Sequence, residues 1–98
     1  HDAKHGSGFS FVDLAADRAG VQFGKTATQS KQKALRFQKN MAAIQNYQAF
    51  MPNIEQLPEN ISRQEFTKRY SSFYSKAYKD QLQTIDSRIS TCKIYQNL

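Results

Sequence analysis

Cysteine is nearly absent from this sequence. Cys92 is the only one, so no disulfide can form within the chain and a disulfide-stapled scaffold is excluded. Tryptophan is missing altogether. Proline occurs twice and glycine four times, which leaves long stretches without a helix breaker. No apolar run approaches the roughly 20 residues that a membrane-spanning helix needs, and no secretory signal peptide is visible. Strict alternation of apolar and polar residues never extends past four residues, so no sheet is expected. Acidic residues are unevenly placed: none occurs between Arg18 and Ile54.

What is present suits one modest core. The chain has 98 residues, the size of a single domain, with 39% hydrophobic and 12% aromatic residues, Phe and Tyr supplying the bulk. Disorder would need fewer aromatics and a more one-sided charge. The formal net charge is +6, and both halves of the sequence are basic, so along the chain the excess is spread instead of forming a tail. A basic balance favours acidic partners, whether nucleic acid, anionic lipid or an acidic protein, without choosing among them. The chain opens on His1 instead of Met, which raises the expectation of a processed mature protein or part of a longer one.

The expected organisation is a flexible lead-in over residues 1–8 and one helical domain over 9–98. A first helix starts at Ser10, with Asp13 at capping-box spacing and Phe9 as a staple onto Val12 or Leu14. Its stripe of Val12, Ala15, Ala16, Ala19 and Phe23 is mostly small, so a partner helix could come close. Gly20 reads as a close contact or a helix end, and Gly24 as the better stop. A second helix is expected from Ser30 to Met51, where Phe37, Met41, Ile44, Tyr47 and Met51 keep helical spacing until Pro52. Residues 52–61 form a connector, tacked to the core by Ile54 and Leu57. A third helix starts with a capping box at Ser62 and Glu65. Its apolar stripe of Phe66, Tyr70, Phe73 and Ala77 shifts by one residue to Tyr78, Leu82, Ile85, Ile89 and Cys92, which predicts a kink near Lys79–Asp80. The fold class is therefore all-α: an up-and-down, bundle-like domain of three to four helices, the third kinked. The expected core is Phe37, Met41, Ile44, Phe66, Tyr70, Phe73, Leu82, Ile85 and Ile89.

The run of residues 6–20, Gly-Ser-Gly-Phe-Ser-Phe-Val-Asp-Leu-Ala-Ala-Asp-Arg-Ala-Gly, is the most distinctive stretch. Asp13 and Asp17 are one helical turn apart and share a face. Buried together they could form a general-acid pair. The structural alternative has Asp13 accepting backbone N–H bonds at the helix start, while Asp17 or Arg18 reaches a neighbouring helix. The run resembles a pattern in small exported bacterial envelope proteins of unknown function: aromatic-Ser-aromatic (Phe9, Ser10, Phe11), then Asp13-Leu14, Asp17 and Gly20. The resemblance implies a bacterial, exported origin, periplasmic or secreted, and carries no activity. His1 and His5 have the spacing of a zinc-hydrolase helix. Asp2 stands where such a helix has Glu, and its shorter side chain would misplace a general base, so no metal site is expected.

Lys33, Arg36 and Lys39, with Asn40, are expected opposite the apolar stripe of the second helix, where they could track phosphates. The aromatics fall on the apolar stripe, which leaves no evident stacking platform. Among the rings of Tyr70, Phe73, Tyr74 and Tyr78, Tyr74 is the expected exposed rim, suited to protein contacts. Cys92 reads as a small buried hydrophobe. No complete catalytic motif, cofactor loop or metal site is present. The leading expectation is a non-enzymatic helical interaction module of an exported bacterial protein, its partner another protein or the rest of a larger polypeptide. The alternatives are a basic nucleic-acid binder and a fragment of a hydrolase.

Overall fold

The computed structural model describes residues 8–98; residues 1–7, with His1 and His5, lie outside the described residues. The fold is all-α. Four α-helices make up the bundle-like structure: α1 (Phe11–Thr28), α2 (Lys31–Ala42), α3 (Arg63–Tyr70) and α4 (Lys76–Ser90). Single 3-10 turns lie at Tyr47–Ala49 and Lys93–Tyr95. There is no strand among the described residues, which are 65% helical. Phe9 and Ile61 form an isolated antiparallel bridge.

Every α-helix starts on a serine. Ser10, Ser30, Ser62 and Ser75 each accept a hydrogen bond from the backbone N–H three residues on, satisfying one of the orphan donors of a first turn. The Ser62 box is half made: Glu65 donates its N–H to Ser62, but its carboxylate pairs with Arg69 one turn later.

The helix boundaries correct three expectations. α1 does not stop at Gly24 but runs through both glycines to Thr28. Gly20 and Gly24 are exposed, and a Cβ on either would meet nothing within 4 Å. They mark neither a close contact nor an end, and the helix absorbs their propensity cost. α2 ends at Ala42, well short of Met51. Ala43 and Ile44 donate to Asn40 and Met41 in a tightened last turn, and Asn46 caps a separate 3-10 turn by accepting from Gln48. Tyr47 and Met41 are thereby left exposed and Ile44 half-buried. The third expected helix is two helices. The break lies at Ser71–Ser75, earlier than Lys79–Asp80, and Ser71 has φ 66°. Here the serine hydroxyls compete for the backbone: Ser72 Oγ accepts from Tyr74 N–H, and Ser75 Oγ donates to the Ser72 carbonyl. This break produces the one-residue shift between the two apolar stripes.

α1 and α4 lie side by side and run the same way, because Phe11 meets Tyr78 and Arg18 meets Asp86. The connector closes over the start of α1. Pro58 O accepts from Phe11 N–H at 2.9 Å, and Phe9 and Ile61 exchange both backbone bonds at 2.8 Å. Arg88 on α4 donates to the carbonyls of Asn53 and Glu55, which ties the connector down from the other side. Leu57 is buried as expected, whereas Ile54 is exposed.

The buried side chains form two clusters. The larger holds Phe11, Ala15, Ala19, Leu57, Ile61, Phe66, Tyr70, Tyr78, Ile85 and Ile89. The smaller holds Phe37, Cys92 and Ile94, flanked by Phe23, Ile44, Phe50 and Leu98. Five residues of the expected core are buried: Phe37, Phe66, Tyr70, Ile85 and Ile89. Leu82, like Ile44, is only half-buried, and Phe73 is exposed. The fold is elongated, 46 × 25 × 21 Å, with a radius of gyration of 15.5 Å against about 13 Å for a compact chain of this length. No helix of the described residues is long and apolar enough to cross a membrane.

Candidate interaction surface

The Ser-rich break between α3 and α4 positions the most conspicuous apolar surface. The turn cannot continue α3, and it throws Phe73 and Tyr74 outward, 55% and 85% exposed. Phe73 still touches rings on three sides, with centroids 4.8 Å from Phe66, 5.1 Å from Tyr78 and 5.9 Å from Phe9. Phe9 stacks edge-on against Phe66 at 5.2 Å. The result is a concave cleft of about 690 Å³, with Phe9, Ile61, Phe66 and Phe73 as its floor and wall and Tyr74 at its lip. Gly8 closes one end at φ 85°, where a Cβ would fall 2.3 Å from the Ile61 carbonyl oxygen, so a side chain there cannot fit without moving the backbone.

Among the described residues, the one charged residue lining the cleft is a cation. Arg63 lines the cleft, and Lys68 and Lys79 are exposed nearby along the chain with no ion pair among the described residues. Arg69 is held by Glu65, and Lys76 by Asp80, which raises the Lys76 pKa through the hydrogen bond and the charge. Leaving a Phe and a Tyr outside the core forgoes about 1.5–3 kcal/mol for each large side chain that could have been buried. Exposed aromatic rings beside a ring-lined cleft make the kind of apolar patch that marks a candidate interaction site.

The acidic residues of the first helix do not form a chemical site. Asp13 is half-buried, and its backbone N–H donates to Ser10 Oγ at 3.1 Å. Contrary to expectation, its carboxylate accepts no backbone N–H bond among the described residues. Asp17 is exposed and makes no ion pair among the described residues, because the small stripe beside it faces α4 through Ala15 and Ala19 only. Arg18 does reach across: its Nε and Nη2 grip the two Asp86 oxygens at 2.7 and 2.6 Å. That hydrogen bonding holds the Arg18 pKa above its ordinary value. Both partners are more than a third exposed, so the pair aligns α1 with α4 and stabilises it by under about 1 kcal/mol.

Lys33, Arg36 and Lys39 do not form one free face opposite the apolar stripe. The C-terminal segment packs along α2: Asn40 donates to the carbonyls of Ile94 and Gln96, and Arg36 to that of Leu98 at 2.7 Å. Lys33 is half-buried, and Lys39 is exposed. A second cleft, of about 420 Å³, opens here between α2, the Tyr47–Ala49 turn and Lys93, lined by the amides of Asn40, Gln45, Asn46 and Gln48. Cys92 is buried, donates to the Arg88 carbonyl, and has its thiol pKa pushed up by burial, which makes it a poor nucleophile. Among the described residues no group of three or more His, Cys, Asp or Glu is placed to hold a metal ion.

Two exposed aromatic residues were misplaced by sequence reasoning. Phe73 was assigned to the core, and Tyr47 to the apolar stripe of a longer α2. The signal for Phe73 was the serine spacing on either side of Phe73-Tyr74. Compared with protein-family models, curated proteins and solved structures, the chain matches none of them.

Proposed function

We propose that this chain is a non-enzymatic helical interaction module of an exported bacterial protein, and that it docks a protein segment in the cleft at the α3–α4 break. The carrying observation is the placement of Phe73 and Tyr74, exposed on a turn that the fold braces against Phe9 and Phe66. A concave apolar floor beside the Arg63 guanidinium matches an apolar or aromatic anchor residue flanked by Asp or Glu. Export is supported by the likeness of residues 6–20 to envelope proteins.

The test is a displayed-peptide selection run in parallel on the wild-type chain and on Phe73→Ser/Tyr74→Ser, whose folding is checked by circular dichroism. The expected result is enrichment of acidic peptides with one bulky apolar anchor on the wild type alone. Peptides that bind both proteins equally, or no enrichment on either, would reject the cleft as the docking surface.

A further inference from the structure

The fold sorts charge in a way the linear sequence hides. The smaller cluster, around Phe37, Cys92 and Ile94, is built entirely from residues 19–54 and 87–98, stretches far apart in sequence, although their Ala19, Met51 and Ile89 pack on the larger cluster. Together the two stretches hold half of the fourteen Lys/Arg and none of the eight Asp/Glu. The cations are Lys25 on α1, Lys31, Lys33, Arg36 and Lys39 on α2, Arg88 at the end of α4, and Lys93 beyond it. The remaining described residues, 8–18 and 55–86, carry seven Asp/Glu against six Lys/Arg and are close to neutral. Asp86 and Glu55 border the basic end, Asp86 lining one cleft with Lys25. Lys31, Lys33, Lys39 and Lys93, however, make no ion pair among the described residues, so their field is left for a partner to neutralise.

We infer that this end binds single-stranded nucleic acid, a site separate from the protein-docking cleft. Three observations choose this polyanion. First, the exposed cations Lys25, Lys31, Lys39 and Lys93 come from different elements, as suits a backbone winding over an end better than one straight duplex groove. Second, the cleft beside them is lined by Gln45 and Gln48, whose side-chain amides make no hydrogen bond among the described residues and whose paired donor and acceptor match the edges of an unpaired base. Third, Tyr47, on the same 3-10 turn as Gln48 and Ala49 of that cleft, is 66% exposed at the adjoining cleft and offers a ring for stacking. An anionic lipid surface would use the charges but not the amides.

The probe is fluorescein-labelled oligo(dT) of about 16 nucleotides, near the upper size of single-strand sites, followed by anisotropy. With about five phosphate contacts, the affinity should fall on the order of 100-fold between about 50 and 200 mM salt. Lys31→Gln/Lys39→Gln/Lys93→Gln changes only exposed side chains with no ion pair among the described residues, and should lower the affinity at least tenfold. Lys33→Ala/Arg36→Ala/Lys39→Ala should lower it similarly, though Arg36 also anchors the C-terminal segment, so the Gln variant decides. Tyr47→Ser should cost about tenfold by loss of stacking, and Lys68→Gln/Lys79→Gln at the other end should change nothing. Duplex DNA bound as tightly as oligo(dT), phosphatidylglycerol vesicles bound in its place, or affinity indifferent to the three Gln changes would each overturn the inference.

Discussion

Phe11→Ala tests how the chain closes around its larger core. Phe11 is fully buried, although it opens α1 and follows a polar lead-in. Its ring lies 4.9 Å from Phe9, 5.1 Å from Tyr70 and 5.9 Å from Tyr78, so it joins the connector side, α3 and α4 at one point. Truncation to Ala leaves the Phe11 N–H bond to Pro58 O intact and removes only the ring. Loss of a buried Phe costs about 3–5 kcal/mol, cavity included. A domain of this size holds about 5–15 kcal/mol in total. Each kcal/mol shifts Tm by about 4–8 °C at this length, so melting followed at 222 nm should fall by roughly 12–40 °C. Val21→Ala, at a 58% exposed site on the same helix, should stay within about 0.5 kcal/mol of wild type. If Phe11→Ala lost less than about 1 kcal/mol, the ring would be on the surface and the closure of the connector over α1 would be wrong.

Gly20→Ala and Gly24→Ala should each raise stability by about 0.5–1 kcal/mol, since both sites are helical and open; a lower Tm would reveal the close helix contact that is missing here. Arg18→Ala and Asp86→Asn should each cost under about 1 kcal/mol, and Asp17→Asn close to nothing, in urea titrations; a loss of several kcal/mol at Asp17 would mean a buried partner. Burial raises the pKa values of Cys92, Tyr78 and Tyr95, so each keeps its proton to higher pH in the folded chain than in the unfolded one. Their contribution is therefore complete below the ordinary thiol value of 9.0 and declines above it, as the unfolded chain ionises first. Stability measured from pH 7 to pH 11 should fall through that window, and Cys92 should react with a disulfide reagent at pH 8 only after denaturant is added; a rise in stability, or fast native reaction, would contradict the burial.

Three of the four helix starts, at Ser10, Ser30 and Ser62, were legible because each is written locally, as a serine three residues before the N–H it accepts from; the fourth, at Ser75, was hidden inside one long periodic stretch. The apolar stripes likewise located Phe66, Tyr70, Ile85 and Ile89. The failures have a common cause: two stops were made by side chains competing for the backbone, not by proline or glycine. Ser71, Ser72 and Ser75 broke the last long helix, and Asn46 restarted the chain after α2. Phe73 and Tyr47 looked like core because helical spacing was extended across those stops. Gly20 and Gly24 looked like punctuation, yet the capped helix simply carries them. The concentration of charge at one end could not be read linearly, because it depends on residues 87–98 packing on α2 through Asn40 and Ile94. Tyr74 was identified as an exposed rim, but the cleft behind it needs Phe9, which comes from the other end of the sequence.

The most direct test of the docking surface is an amide chemical-shift titration of the wild-type chain with an acidic peptide obtained from the selection. The account predicts shifts confined to Phe9, Ile61–Thr67 and Ser71–Tyr74, abolished in Phe73→Ser/Tyr74→Ser, with α2 silent. Shifts centred on Arg18 and Asp86, or spread evenly over the basic end, would contradict it.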